Sequence, residues 1–94
     1  MDWQEILHRI DHIVNQQTGK HLSDLQAAIL KGVLKGQRYA SIAQDYGCTT
    51  GHIKDTSYKL WKILSLALGE PIHKTNIRAT LERQALNLTN PSPK

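Results

Sequence analysis

Apolar residues recur along this chain in five stretches of helical spacing, separated by glycine-centred breaks. In the first, Trp3, Ile6, Leu7, Ile10, Ile13 and Val14 fall on one face at i, i+3, i+4 intervals, and Gln4, Glu5, His8, Asp11, His12 and Asn15 fall on the other. Asp2 can cap this helix and Gly19 can stop it. Such a stripe is buried only against another element, so the helix belongs to the domain. A second helix starts at Leu22-Ser23-Asp24-Leu25-Gln26, where Ser23 caps and Gln26 holds the capping-box position. Leu25, Ala28, Ile29 and Val33 give its core face, Lys31 and Lys35 suit its carboxyl-terminal dipole, and Gly36 ends it.

The third and fourth stretches form one unit, Tyr39 to Leu68. A short helix, Tyr39–Tyr46, follows Arg38, which stands where a Ser or Thr cap is usual. Gly47 supplies a turn, and Thr49 or Thr50 caps the longer helix that runs to about Leu68. Ala43 is small where the two helices would cross, and Ile42, Tyr46, Cys48 and Ile53 are apolar where such a unit buries side chains. This is the layout of a helix-turn-helix, whose second helix can lie in a DNA major groove. The long helix has a stripe of Ile53, Ser57, Leu60, Leu64 and Ala67, with Gly51, His52, Asp55, Tyr58, Lys59 and Lys62 opposite. Its second half is apolar nearly all round because Ile63 and Leu66 lie off the stripe. That half needs cover on more than one side, from the first or last helix or from a second subunit.

Gly69-Glu70-Pro71 breaks the helix. A last helix follows, capped by Thr75 or Asn76, with a stripe of Ile77, Leu81, Ala85 and Leu88 and an outer Arg78–Glu82 pair. The predicted fold is all-α, a helix-turn-helix bundle of about five helices over residues 1–89. Residues 90–94, Asn-Pro-Ser-Pro-Lys, read as a disordered tail or linker.

Composition narrows the function. Only five aromatic residues occur and none is Phe, so the core must be mainly aliphatic and light. The formal charge is +4, and it is uneven: residues 1–30 carry four acids and two bases, residues 31–94 ten bases and four acids. A basic segment overlapping the helix-turn-helix favours a polyanion partner. Cys48 is the only cysteine, which excludes an internal disulfide and fits a reducing, cytoplasmic setting. The amino-terminal stretch lacks the basic start and apolar run of a signal peptide, and no apolar run is long enough to span a membrane.

The candidate DNA-contacting residues are Arg38, Thr49, Thr50, His52, Lys54, Asp55, Tyr58, Lys59 and Lys62. Thr49, Thr50 and the first helical N–H groups suit a phosphate, and Arg38 and Lys62 can reach the backbone. Lys59 can donate to guanine, Asp55 can accept from cytosine, and a threonine can meet a thymine methyl. The face holds no Arg, Asn or Gln for bidentate base contacts. Trp61, Ile63 and Leu66 are candidate interface residues, with Trp61 equally suited to the core. His8 and His12 are four apart, a geometry that can bind a metal, but no third ligand is evident and no metal or other cofactor is expected. Cys48 is read as a small core residue rather than a redox sensor. No P-loop, Rossmann glycine pattern, nucleophile elbow or carboxylate pair is present, so enzyme activity is not expected.

The segment "LSDLQAAILKGVLKGQRYASIAQDYGCTTGHIKDTSYKLWKIL" resembles the tetrahelical helix-turn-helix of LuxR-type regulators and region 4 of sigma factors. The capped Leu-Ser start, Gly36, Ile42-Ala43, Gly47 and Ile53-Lys54 carry the likeness, which implies major-groove binding by the helix near Thr50. Over nearly the whole chain, "YASIAQDYGCTTGHIKD" and "LWKILSLALGEPIHKTNIRATLER" resemble the largely cyanobacterial vWA-MoxR-associated N-terminal helix-turn-helix domain. Leu60-Trp61, Leu64-Ser65, Leu68-Gly69-Glu70 and Lys74-Thr75-Asn76 carry that match. It implies a module that precedes NTPase, WD-repeat, TIR or protease-like domains in signalling and conflict-related proteins. The tail then suits a linker to such a module, or the end of a stand-alone regulator.

Two readings follow. In the first, the chain is a sequence-specific DNA-binding transcriptional regulator, expected to act as a homodimer, with double-stranded DNA as partner. In the second, it is a protein-interaction or adaptor domain with a protein partner or a fused downstream module.

Overall fold

The computed structural model describes the backbone of residues 3–89 and the side chains of residues 4–83. The described residues form five α-helices: α1 (Trp3–Thr18), α2 (Asp24–Leu34), α3 (Tyr39–Tyr46), α4 (Thr50–Leu68) and α5 (Ile77–Thr89). The all-α helix-turn-helix bundle expected from the pattern is the observed one. The Asp2 cap and the 90–94 tail lie outside the described residues, as do the side chains of Trp3, Ala85 and Leu88.

Local signals account for the boundaries. Ser23 Oγ accepts from Gln26 N–H at 3.1 Å, and Gln26 Oε1 accepts from Ser23 N–H at 2.9 Å, so the capping box is complete. Thr49, rather than Thr50, caps α4 by accepting from His52 N–H at 3.1 Å. Arg38 makes no side-chain cap for α3. That start is held instead by packing, with Ile42 and Ala43 buried. Gly47 closes α3 at φ 90°, a left-handed conformation that a Cβ would strain. Its N–H and that of Cys48 both donate to Ala43 O, at 2.8 and 3.0 Å.

Helix α4 is the element against which α1, α2 and α3 all pack. Its stripe residues Ile53, Ser57, Leu60 and Leu64 are buried, and so is Trp61. They meet Ile6, Ile10 and Val14 of α1, Ile29, Leu30, Val33 and Leu34 of α2, and Ile77 and Leu81 of α5 in one continuous core. Burying such an aliphatic side chain contributes about 1.5–3 kcal/mol, which a core without Phe needs at nearly every position.

Two close fits were not evident in the pattern. Gly32 lies mid-helix, and a Cβ there would stand 2.5 Å from Ile42 Cγ1, so its absence lets α2 and α3 approach. Asp11, placed on the polar face of α1, accepts from Leu22 N–H at 2.6 Å and lies 2.9 Å from His21 Nδ1. It fixes the α1–α2 connection. That backbone hydrogen bond, with the neighbouring His21, holds its carboxyl below the usual carboxylate range.

Two expectations are corrected, and a third is met on one side. Tyr46 is 46% exposed at the end of the two-turn α3, beside Ala28 of α2 in an open cleft rather than in the core. The ion pair at the carboxyl-terminal corner runs from Arg83 to Glu70, not from Arg78 to Glu82. The second half of α4 is covered on one side by α1, but Leu66 is left 74% exposed within the chain.

Candidate nucleic-acid interface

The turn between α3 and α4 is short, and it sets the start of α4 at the surface. Because Thr49 Oγ1 takes the His52 N–H and Thr49 O takes the Ile53 N–H, the Thr50 and Gly51 N–H groups have no acceptor within the helix. They sit at the positive end of the α4 dipole. The Thr49 hydroxyl proton is free to donate outward while its oxygen caps. Gly51 is exposed, and a Cβ placed on it would meet nothing within 4 Å. No intramolecular packing therefore demands glycine at this position.

Six of the sequence-derived candidates share one face of α4. His52, Lys54, Asp55, Tyr58, Lys59 and Lys62 are all exposed along the outer side of α4, and Thr50 is half-buried at its start. Arg38 is exposed at the start of α3. The described ion pairs are Glu5–Arg9, Asp11–His21 and Glu70–Arg83, so the α4 cations are not neutralised within the described residues. Lys62 Nζ lies 5.0 Å from the centre of the Tyr58 ring, which holds one cation along the helix rather than loose in solvent. The result is a surface with three lysines and one aspartate on α4, and with free N–H groups at its leading end.

The three candidate interface residues do not form one surface. Trp61 is buried, and its Nε1–H donates to Tyr39 Oη at 3.1 Å. Ile63 is half-buried and faces a cleft beside Val14 and Thr18 of α1 and Gln26 of α2. Leu66 lines a different cleft, of about 460 Å³, with Trp61, Ile72 and His73. Ile72 and His73 were missed as site residues. An isolated isoleucine in the polar segment between Gly69 and Asn76 was the available signal, since such a residue usually plugs a core or lines a cleft.

The corner that forms this cleft is tied together by specific bonds. Ser65 Oγ donates to Trp61 O at 2.7 Å and accepts from Ile72 N–H at 2.8 Å. Asn76 accepts from His73 N–H at 2.7 Å and donates to Pro71 O at 2.8 Å, so it pins the turn into α5. Lys74 Nζ stands 4.8 Å from the centre of the Tyr39 ring. Trp61, Ser65, Glu70, Lys74 and Asn76 thus build one α3–α4–α5 corner.

The model of the vWA-MoxR associated protein N-terminal HTH family matches residues 1–84. The chain belongs to that family. The match spans α1 to α4 and the first part of α5, so the first helix and the start of the last belong to the family domain together with the helix-turn-helix. The likeness to LuxR-type regulators is compatible with the same fold. No curated protein and no solved structure matches the chain. Among the described residues, no three His, Cys, Asp or Glu side chains converge as a metal site, and no helix is long and apolar enough to cross a membrane.

Proposed function

We propose that this helix-turn-helix domain binds duplex DNA in a sequence-dependent manner and acts in transcriptional regulation. The first half of α4 enters the major groove. The observation that carries this reading is the outer face of α4, where Lys54, Lys59 and Lys62 are exposed and unneutralised behind an open, capped helix start. Thr49, Thr50 and the N–H groups of Thr50 and Gly51 take a phosphate at the helix dipole. Arg38, on the preceding helix, and Lys62 take flanking phosphates. His52, Asp55 and Tyr58 face the base edges, and Lys54 and Lys59 beside them meet backbone phosphates. Asp55 disfavours phosphate and suits a cytosine amino group, so its place among lysines favours base contact over simple charge attraction.

Duplex binding measured at two salt concentrations tests the reading. With Arg38, Lys54, Lys59 and Lys62 all meeting phosphate, affinity falls about a hundredfold between ~50 and ~200 mM salt. In the Lys54→Ala, Lys59→Ala double variant, the logarithmic salt slope shrinks by about 2 while the helical content is unchanged. A folded double variant with wild-type affinity and salt slope overturns the assigned face.

A further inference from the structure

The cleft beside Leu66 has a chemistry of its own. Its floor is Trp61 and Ile72, both buried, and its walls are Tyr58 and Leu66, which are 62% and 74% exposed. Tyr58, Lys62 and Leu66 stand at i, i+4, i+8 along one face of α4, so the aromatic, cationic and aliphatic groups form a continuous row. The polar atoms around the floor are already satisfied. Trp61 Nε1–H is taken by Tyr39, and Ser65 Oγ holds both Trp61 O and Ile72 N–H. The floor therefore offers apolar surface without competing for a ligand's hydrogen bonds.

Among the described residues, the cleft lining holds Lys62 and the His73 ring and no carboxylate. Glu70, in the adjoining turn, is neutralised by Arg83, and Lys59 is exposed on the turn of α4 next to Lys62. An apolar trough with a basic rim fits an amphipathic segment that is apolar on one face and acidic on the other. A cationic or uniformly polar segment meets no complementary group there.

We propose that this cleft is a docking groove for an acidic amphipathic peptide segment of a partner protein. One apolar anchor rests on Trp61 and Ile72, and carboxylates lie beside Lys62 and His73. The groove shares Tyr58 and Lys62 with the candidate DNA face, but Leu66, Ile72 and His73 lie outside that face. Peptide docking therefore stands or falls independently of duplex binding.

The test is selection of the full chain against a displayed library of random peptides about 16 residues long, enough for roughly four helical turns. Enriched sequences are expected to combine apolar residues at i, i+3 or i+4 spacing with an excess of Asp and Glu. A synthetic peptide of the enriched type is expected to lose about tenfold in affinity for Leu66→Gln and for Lys62→Glu. Leu66 is exposed and Gln is a good helix former, so the first variant folds. It is also expected to bind duplex DNA as the unaltered chain does. No enrichment, enrichment of basic or neutral sequences, or peptide affinity unchanged by Leu66→Gln overturns the proposal. So does self-association in sedimentation that Leu66→Gln abolishes, because it assigns the groove to a second copy of the chain.

Discussion

Asp11 shows how much one surface carboxylate can do when it replaces a missing backbone partner. It accepts the Leu22 N–H and meets His21, and so joins α1 to the start of α2. Its pKa is lowered in the folded chain, chiefly by the bond from Leu22. A carboxyl whose pKa is depressed on folding contributes stability above its unfolded pKa, and that stability is lost as pH falls through the folded value. Asp11→Ala is therefore expected to lower Tm at neutral pH and to narrow the gap from the unaltered chain in acid, below the ordinary carboxylate range. Thermal unfolding across pH reads this directly, and a gap that stays constant with pH contradicts it. Gly51 is informative at the same scale. Its Cβ position is open, so Gly51→Ala is expected to raise helix stability by up to about 1 kcal/mol. The same change is expected to weaken duplex binding, because the added methyl stands between the helix start and a closely approaching backbone. Unchanged duplex affinity in this variant removes the argument for close approach.

Elements differ in how openly the sequence declared them. The five helices, the Ser23–Gln26 capping box, the Gly47 turn and the buried stripe from Ile53 to Leu64 were all legible, because local periodicity and capping chemistry dictate them. The exposed row of Lys54, Tyr58 and Lys62 was legible for the same reason. What periodicity could not show is where separate elements meet. The Tyr39–Trp61 bond, the Asp11 link and the Glu70–Arg83 pair join residues 10 or more positions apart. Ile63 and Leu66 looked alike as off-stripe apolar residues, but they line different clefts, Ile63 beside α1 and α2 and Leu66 beside the α4–α5 turn. Gly32 is the clearest case of a residue with a tertiary reason that local preference hides. Alanine there favours the isolated helix by about 1 kcal/mol. In the folded chain its Cβ would collide with Ile42, whose side chain is buried. Overpacking of that kind costs about 1–3 kcal/mol, so Gly32→Ala is expected to be net destabilising in urea unfolding. A more stable Gly32→Ala chain contradicts the close α2–α3 contact.

At the scale of the whole molecule, α4 has two roles along its length. Its inner side is the spine on which α1, α2 and α3 assemble, and its outer side carries the groups available to partners. The first half of that outer side is basic and open at the helix start, as duplex binding requires. The second half, with the α4–α5 turn, forms an apolar cleft with a basic rim. Membership of the vWA-MoxR associated protein N-terminal HTH family covers both halves, since the match reaches through α4 into α5. A partner segment in the cleft would touch Tyr58 and Lys62, which the DNA reading also uses, so the two ligands are expected to compete wherever both bind. The most direct measurement of the central claim is duplex affinity against salt for the unaltered chain and for the Lys54→Ala, Lys59→Ala variant, with oligomeric state read in the same solution. The account predicts steep salt dependence in the unaltered chain and a slope smaller by about 2 in the folded variant. Binding that is absent, insensitive to salt, or identical in the two proteins contradicts it.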